Sequence, residues 1–147
     1  MHYFEDFKVG DRWEFGTWSL ARDEMIGFAR EFDPQPIHTA EAAASRSAFG
    51  GVIASGWQTI LKCIRLFVDG LMRDTAGLAS PGLDELRWFK PVRAGDRISA
   101  RAEVVEVGES KSSPDRGRVH FRIYGVDESG ETVLSAKGLF FIARRPR

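Results

Sequence analysis

Residues 57–73 read WQTILKCIRLFVDGLMR, and this stretch decides the fold. Ile60, Leu61, Ile64, Phe67, Val68 and Leu71 recur at helical spacing and form a wide apolar face, which Ile53 and Trp57 extend at its start. The spacing predicts one long helix over Trp57–Arg73. So much apolar surface on a single helix needs a large partner, most naturally a sheet wrapped around it. The chain beyond the helix can supply that sheet. From Gly82 the period changes to two, and Leu83–Pro91, Arg97–Val107, Arg118–Val126 and Thr132–Arg144 alternate or carry β-branched and aromatic residues. Asp127–Gly130 reads as a hairpin turn, Glu109–Gly117 as a longer polar loop, and Asp74–Pro81 as a loop after the helix.

On the N-terminal side, Arg12–Trp18 reads as a first strand through Trp13, Phe15 and Trp18, with its alternation broken at Gly16. Ala21–Glu31 is helical in pattern, with Met25, Phe28, Ala29 and Phe32 on one face. Thr39 is placed to cap a short alanine-rich helix from Ala40 to about Arg46. The order is strand, helices, long helix, four strands. That is an α+β chain with its helices on one face of an antiparallel sheet. No repeat or linker interrupts residues 1–147, which read as one domain.

Composition narrows the classes of function. At 43% hydrophobic, 147 residues suffice for a real core. Lys and Arg total 21 and Asp and Glu total 21, so no charge excess calls for nucleic acid or an anionic membrane as partner. Cys63 is the sole cysteine, which excludes an internal disulfide, and its place in an apolar helical pattern makes it a core residue. The three histidines and one cysteine show no metal-ligand spacing, so no metal is expected. The first residues lack a basic region followed by an apolar stretch, and the apolar runs are too short for a membrane span. A cytoplasmic protein is the expectation.

The chemistry concentrates in residues 32–56, FDPQPIHTAEAAASRSAFGGVIASG. Asp33 and His38 can trade a proton near neutral pH, and Pro34 and Pro36 stiffen the segment between them. Asp33 falls at the C-terminal edge of a helix. The negative end of the dipole there is expected to raise its pKa. Gly50, Gly51, Ala54, Ser55 and Gly56 lead into the long helix with nothing bulky in front of its backbone N–H groups. Gly51 and Gly56 have phosphate-loop spacing, but Trp57 stands where that motif requires lysine, which excludes it. Spacing alone leaves a second reading open, with Asp33 capping a turn and His38 an ordinary loop residue.

Asp33-x-x-Pro36-Ile37-His38, the Ile53-Ala54-x-Gly56 lead into a long helix, and Leu86–Asp96 with Pro91, Val92, Gly95 and Asp96 in place together resemble the MaoC-type dehydratases. That family includes the R-specific enoyl-CoA hydratases, and the resemblance covers nearly the whole chain in the right order. It implies the hotdog architecture, and a dimer whose sheets join edge to edge with an acyl-CoA tunnel at the interface. It implies hydration of a trans-2-enoyl thioester, carried by coenzyme A or acyl carrier protein, with no organic cofactor. Asp33 would take a proton from the attacking water, His38 would orient that water and help deliver a proton to the α-carbon, and the Gly56 N–H would stabilise the enolate oxygen. Gln35, Ser55 and Trp57 would line the substrate site. By position alone, Lys90 and Arg93 at a strand end, or the tail Arg144, Arg145 and Arg147, are candidates to meet coenzyme A phosphates, with ordinary solvated charge and a frayed terminus the stronger reading for the tail.

Three positions depart from the family pattern, and they bear on substrate range more than on reaction type. Gln35 stands where asparagine is usual, and Ser55 where histidine is common. Leu61, with Thr59 nearby, replaces a serine one turn into the long helix. Trp57 and Gln58 are candidates for reshaping the acyl pocket. Two alternatives stand beside hydration. A hotdog thioesterase often carries a carboxylate on its central helix, where this chain has only Asp69, late in the helix. A non-catalytic acyl-thioester-binding protein would keep the fold without needing Asp33 and His38.

Overall fold

The computed structural model describes residues 1–147. Five strands form one sheet: β1 (Arg12–Trp18), β2 (Gly77–Trp88), β3 (Ile98–Glu109), β4 (Arg116–Val126) and β5 (Thr132–Ala143). Every pairing is antiparallel, and the spatial order is β1-β3-β4-β5-β2. Between β1 and β2 the chain forms α1 (Arg22–Phe32), the short turns α2 (Pro36–Thr39) and α3 (Glu41–Ser45), and the long α4 (Gly56–Gly70). α4 packs on β1, β3, β4 and β5. The α+β reading, with a sheet wrapped around a long helix, is borne out.

The core follows from matched periods. Ile60, Cys63 and Phe67 form the buried stripe of α4. Val119, Phe121 and Ile123 of β4 meet it, with Ala100, Ala102 and Val104 of β3 beside them. The Phe67 ring lies 5.9, 5.2 and 5.4 Å from those of Phe15, Phe121 and Phe140. Each such aromatic pair adds about 0.5–1.5 kcal/mol beyond area burial. The buried stripe is narrower than predicted, because Leu61 and Trp57 are about half exposed, at 53% and 54%. α4 also ends before Arg73. Leu71 leaves helical geometry at φ −140°, and Met72–Asp74 form a short 3-10 turn. No helix is long and apolar enough to cross a membrane.

Two strand irregularities matter. β1 slips register between Glu14 and Thr17 around Gly16, at φ +98°, where the sequence alternation breaks. β2 starts at Gly77, inside the stretch predicted as loop. It is an edge strand, where Pro81 removes no needed ladder bond. Its register against β5 slips by one between Asp84 and Arg87, at Glu85 with φ +52°. Leu83 pairs with Gly138, but Trp88 pairs with Leu134, so the inserted residue flips the alternation. Leu83, Leu86 and Trp88 thus all share the helix-facing side of the sheet.

Candidate active site

α1 stops where Pro34 disfavours further helix. Asp33 is its C-cap, at φ −153° and ψ 65°, with its N–H donating to Ala29 O at 2.8 Å. Gln35 is extended, and Pro36 opens α2 at the first helical position, where its missing N–H costs nothing. The spacer is thus a short extended link followed by one helical turn. It folds back so that Asp33 Oδ2 lies 3.4 Å from His38 Nε2. Thr39 does not cap the next helix. Its hydroxyl donates to Gln35 O at 3.1 Å within α2, and Ala40 takes the N-cap position of α3 without a side-chain bond.

His38 is buried. Its Nδ1 lies 2.9 Å from Ile53 O. A carbonyl oxygen only accepts, so Nδ1 carries a proton, and in the neutral ring the lone pair sits on Nε2, facing Asp33. Ile53 is fixed in turn, its N–H donating to Ile37 O at 3.1 Å, and the next amide, Ala54 N–H, donates to Val92 O at 2.8 Å.

Both oxygens of the Asp33 carboxylate are held. Gln35 Nε2 donates to Oδ1 at 2.6 Å, and Ser55 Oγ to Oδ2 at 2.7 Å. The Gln35 amide above all, then the Ser55 hydroxyl and His38, keep the Asp33 carboxyl below the ordinary carboxylate range despite partial burial. The expectation of a raised value is corrected: hydrogen-bond donors outweigh the dipole end.

At the start of α4 the N–H groups of Gly56 and Trp57 have no acceptor within the chain. Gly56 O accepts from Trp88 Nε1 at 2.9 Å and from Thr59 Oγ at 2.7 Å. The Trp88 indole lies so close that a Cβ at Gly56 would sit 2.4 Å from it, and the Trp57 ring meets it edge-on at 5.4 Å.

One cavity of about 400 Å³ is lined by Asp33, Gln35, His38, Gly56 and Trp57, together with Trp88. Five of the six candidate residues therefore share it. Ser55 does not line it, but is fully buried behind Asp33. Gln58 is buried as well, and its amide donates to Glu24 O at 3.3 Å, away from the cavity. Trp88 is a cavity-lining residue that sequence reading missed, because only the bulge at Glu85 brings it to this side.

Lys90 also lines the cavity, but the charged ends of the basic residues are engaged by other groups. Lys90 Nζ contacts Asp127 at 2.6 Å and Glu131 at 3.1 Å, pinning the β4–β5 turn. Arg93 donates to Phe49 O and braces the loop before Gly51. Arg144 pairs with Glu5 and Glu109, and Arg145 with Asp6, so the tail clamps a 3-10 turn at Phe4–Asp6. Asp69 is tied to Arg65 and Arg73 at 2.6 and 3.0 Å and does not reach the cavity. No three His, Cys, Asp or Glu side chains converge to hold a metal.

Comparison with known proteins agrees with this geometry. Residues 7–120 match the family model described as MaoC like domain. The 3-hydroxybutyryl-CoA dehydratase of Methylorubrum extorquens is 33% identical over 150 residues, covering 97% of this chain and 85% of that protein. The crystal structure of a MaoC-like dehydratase from Rhodospirillum rubrum superposes with a TM-score of 0.91 at 37% identity, covering 100% of both chains. A double hotdog protein from Mycobacterium tuberculosis, 16% identical, superposes at 0.79 over 99% of this chain and 45% of its own, and so shares the hotdog fold. With the family model spanning most of the chain and these relatives beside it, the chain belongs to the MaoC-like dehydratase and hydratase family.

Proposed function

We propose that this protein catalyses the reversible hydration of a trans-2-enoyl thioester, carried by coenzyme A or acyl carrier protein, to the (R)-3-hydroxyacyl thioester. The observation that carries the reading is the pairing of Asp33 Oδ2 and His38 Nε2, 3.4 Å apart beside the cavity. An ionised carboxylate and a neutral imidazole cannot hydrogen-bond each other, but one water can donate to both. Asp33 accepts a proton from that water as its oxygen adds to the β-carbon. The proton returns to the α-carbon across the Asp33–His38 pair, so the net change is addition of one water. In reverse the pair dehydrates a 3-hydroxyacyl thioester.

Negative charge gathers on the thioester oxygen during attack. The Gly56 N–H, at the start of a fifteen-residue helix and without an acceptor in the chain, is the donor we assign to it, with the Trp57 N–H beside it. One such donor is worth roughly 3–4 kcal/mol in the transition state. The scheme needs no organic cofactor. We assign assembly as a homodimer to the edge of β2, whose Leu78 and Leu83 are exposed in the single chain. Long edges with apolar side chains pair readily with another strand. The engagement of Asp69 by two arginines leaves α4 without the carboxylate a thioesterase reading would use.

Incubation with crotonyl-CoA tests the reading. Loss of enoyl absorbance without thiol release is the expected result. Release of free thiol would turn the assignment to a thioesterase, and binding without turnover would turn it to a carrier.

A further inference from the structure

The bulge in β2, the indole of Trp88 and the bare backbone of Gly56 form one device at the wall of the cavity. Glu85 at φ +52° is a left-handed, non-glycine residue, and the register slip around it turns Trp88 from the solvent face to the helix face. There the indole is fixed at three points. Its Nε1 donates to Gly56 O at 2.9 Å, its ring rests where Gly56 has no side chain, and Trp57 closes on it edge-on at 5.4 Å. Gly56 follows Ser55, whose hydroxyl is 2.7 Å from Asp33 Oδ2. The indole therefore stands one residue from the support of the proposed base. At about 400 Å³ the cavity is at the small end of ligand pockets, which span about 300–1,000 Å³.

The geometry points to Trp88 as the residue that sets acyl chain length, closing the pocket just beyond a short acyl group and refusing medium chains. The inference rests on the acyl-thioester reading above and names the substrate class within it. A β-carbon held at the Asp33–His38 water and a thioester oxygen at the Gly56 N–H leave the tail to run among the remaining walls. Val133 and Leu134, cross-strand from Trp88, line the same cavity and are buried with almost no exposure, so they offer little room to yield. Phe49, Trp57 and Phe89 line the cavity as well, and among these large groups the Trp88 indole is the one hydrogen-bonded to the start of α4, so its removal opens space at the proposed oxyanion donor.

The test compares wild-type protein, Trp88→Ala and Trp88→Phe on crotonyl-CoA, hexenoyl-CoA and octenoyl-CoA. A methylene accepted or refused by an apolar pocket changes kcat/KM by about 10–200-fold. The wild type should favour crotonyl-CoA, and Trp88→Ala should raise the octenoyl-to-crotonyl ratio by at least about tenfold. Trp88→Phe keeps most of the bulk and loses the N–H, so it should retain the wild-type order and show that size is the determinant. An unchanged ratio in a folded Trp88→Ala protein would overturn the proposal, as would a wild type already indifferent to length. Dissociation constants for butyryl-CoA and octanoyl-CoA, measured on the same three proteins, read the same preference without turnover. Failure of the hydration reading and failure of the chain-length reading are thereby told apart.

Discussion

Gln35 Nε2 stands 2.6 Å from Asp33 Oδ1, two residues along the chain and across Pro34. The amide both aims the carboxylate and stabilises its charged form. It is the largest of the influences that hold the Asp33 carboxyl low, and it accounts for a low value at a helix C-terminus, where the dipole alone would favour a high one.

Removing that donor with Gln35→Ala should raise the Asp33 pKa. A base works only when ionised, so the contribution of Asp33 to the acidic limb of kcat/KM should move to higher pH. Stability moves with it. Asp33 ionises near pH 4 in an unfolded chain, at roughly its reference value, and its depressed folded value contributes stability above that pH which is lost as pH falls through the folded pKa. Gln35→Ala should diminish that contribution at neutral pH. Rate profiles and urea melts at several pH values check both shifts, and an acidic limb that stays put would reject the link.

Asp33→Asn and His38→Ala should each lower hydration by about 10²–10⁴-fold, and the double variant should lose little more than the worse single one, since both act on one water. Their stabilities should differ. Asn nearly fills the place of Asp, whereas His38 is buried and bonded to Ile53 O, so its loss should cost about 1–3 kcal/mol. Single-turnover rates and denaturant midpoints on all three variants provide the measurement.

Gly56→Ala should be destabilising by about 1–3 kcal/mol, because the new methyl would lie 2.4 Å from the Trp88 ring. In a Trp88→Ala background the same change should be close to neutral. A double-mutant cycle of melting free energies reads the coupling, and additivity within error would show that the indole does not rest on Gly56.

Leu78→Glu combined with Leu83→Glu should yield a monomer by light scattering, since both side chains are exposed on the edge strand of the single chain. An unchanged dimer would move the interface elsewhere.

Cys63 should be inert to thiol reagents in the folded protein and react only on unfolding. Burial pushes its thiol up to about 11, against a smaller opposing effect of the Trp18 indole N–H, which donates to Sγ at 3.3 Å. Rapid labelling under native conditions would contradict the packing of α4.

Much of the fold was legible because hydrophobic period and element type agree. β1 was found with its boundaries, and Gly16 marked its bulge. The four later strands and the Asp127–Gly130 turn were found as well. The start of β2 was not, since Gly77, Ser80, Pro81 and Gly82 have loop composition, and an edge strand tolerates them because one side of its backbone needs no partner. Thr39 misled because its capping chemistry is real but was already engaged by the turn that Pro36 opens. In the site, proximity in sequence made Asp33, Gln35 and His38 readable. Trp88 was not, because a one-residue bulge far along the chain chooses its face.

The bond from His38 Nδ1 to Ile53 has an evolutionary consequence. Its acceptor is main chain, present whatever side chain occupies position 53. Drift at that position can alter packing but cannot delete the group that decides which ring nitrogen carries the proton. The choice is protected from point mutation as a side-chain partner's would not be, and it can be lost only if the backbone between Ile37 and Val92 moves.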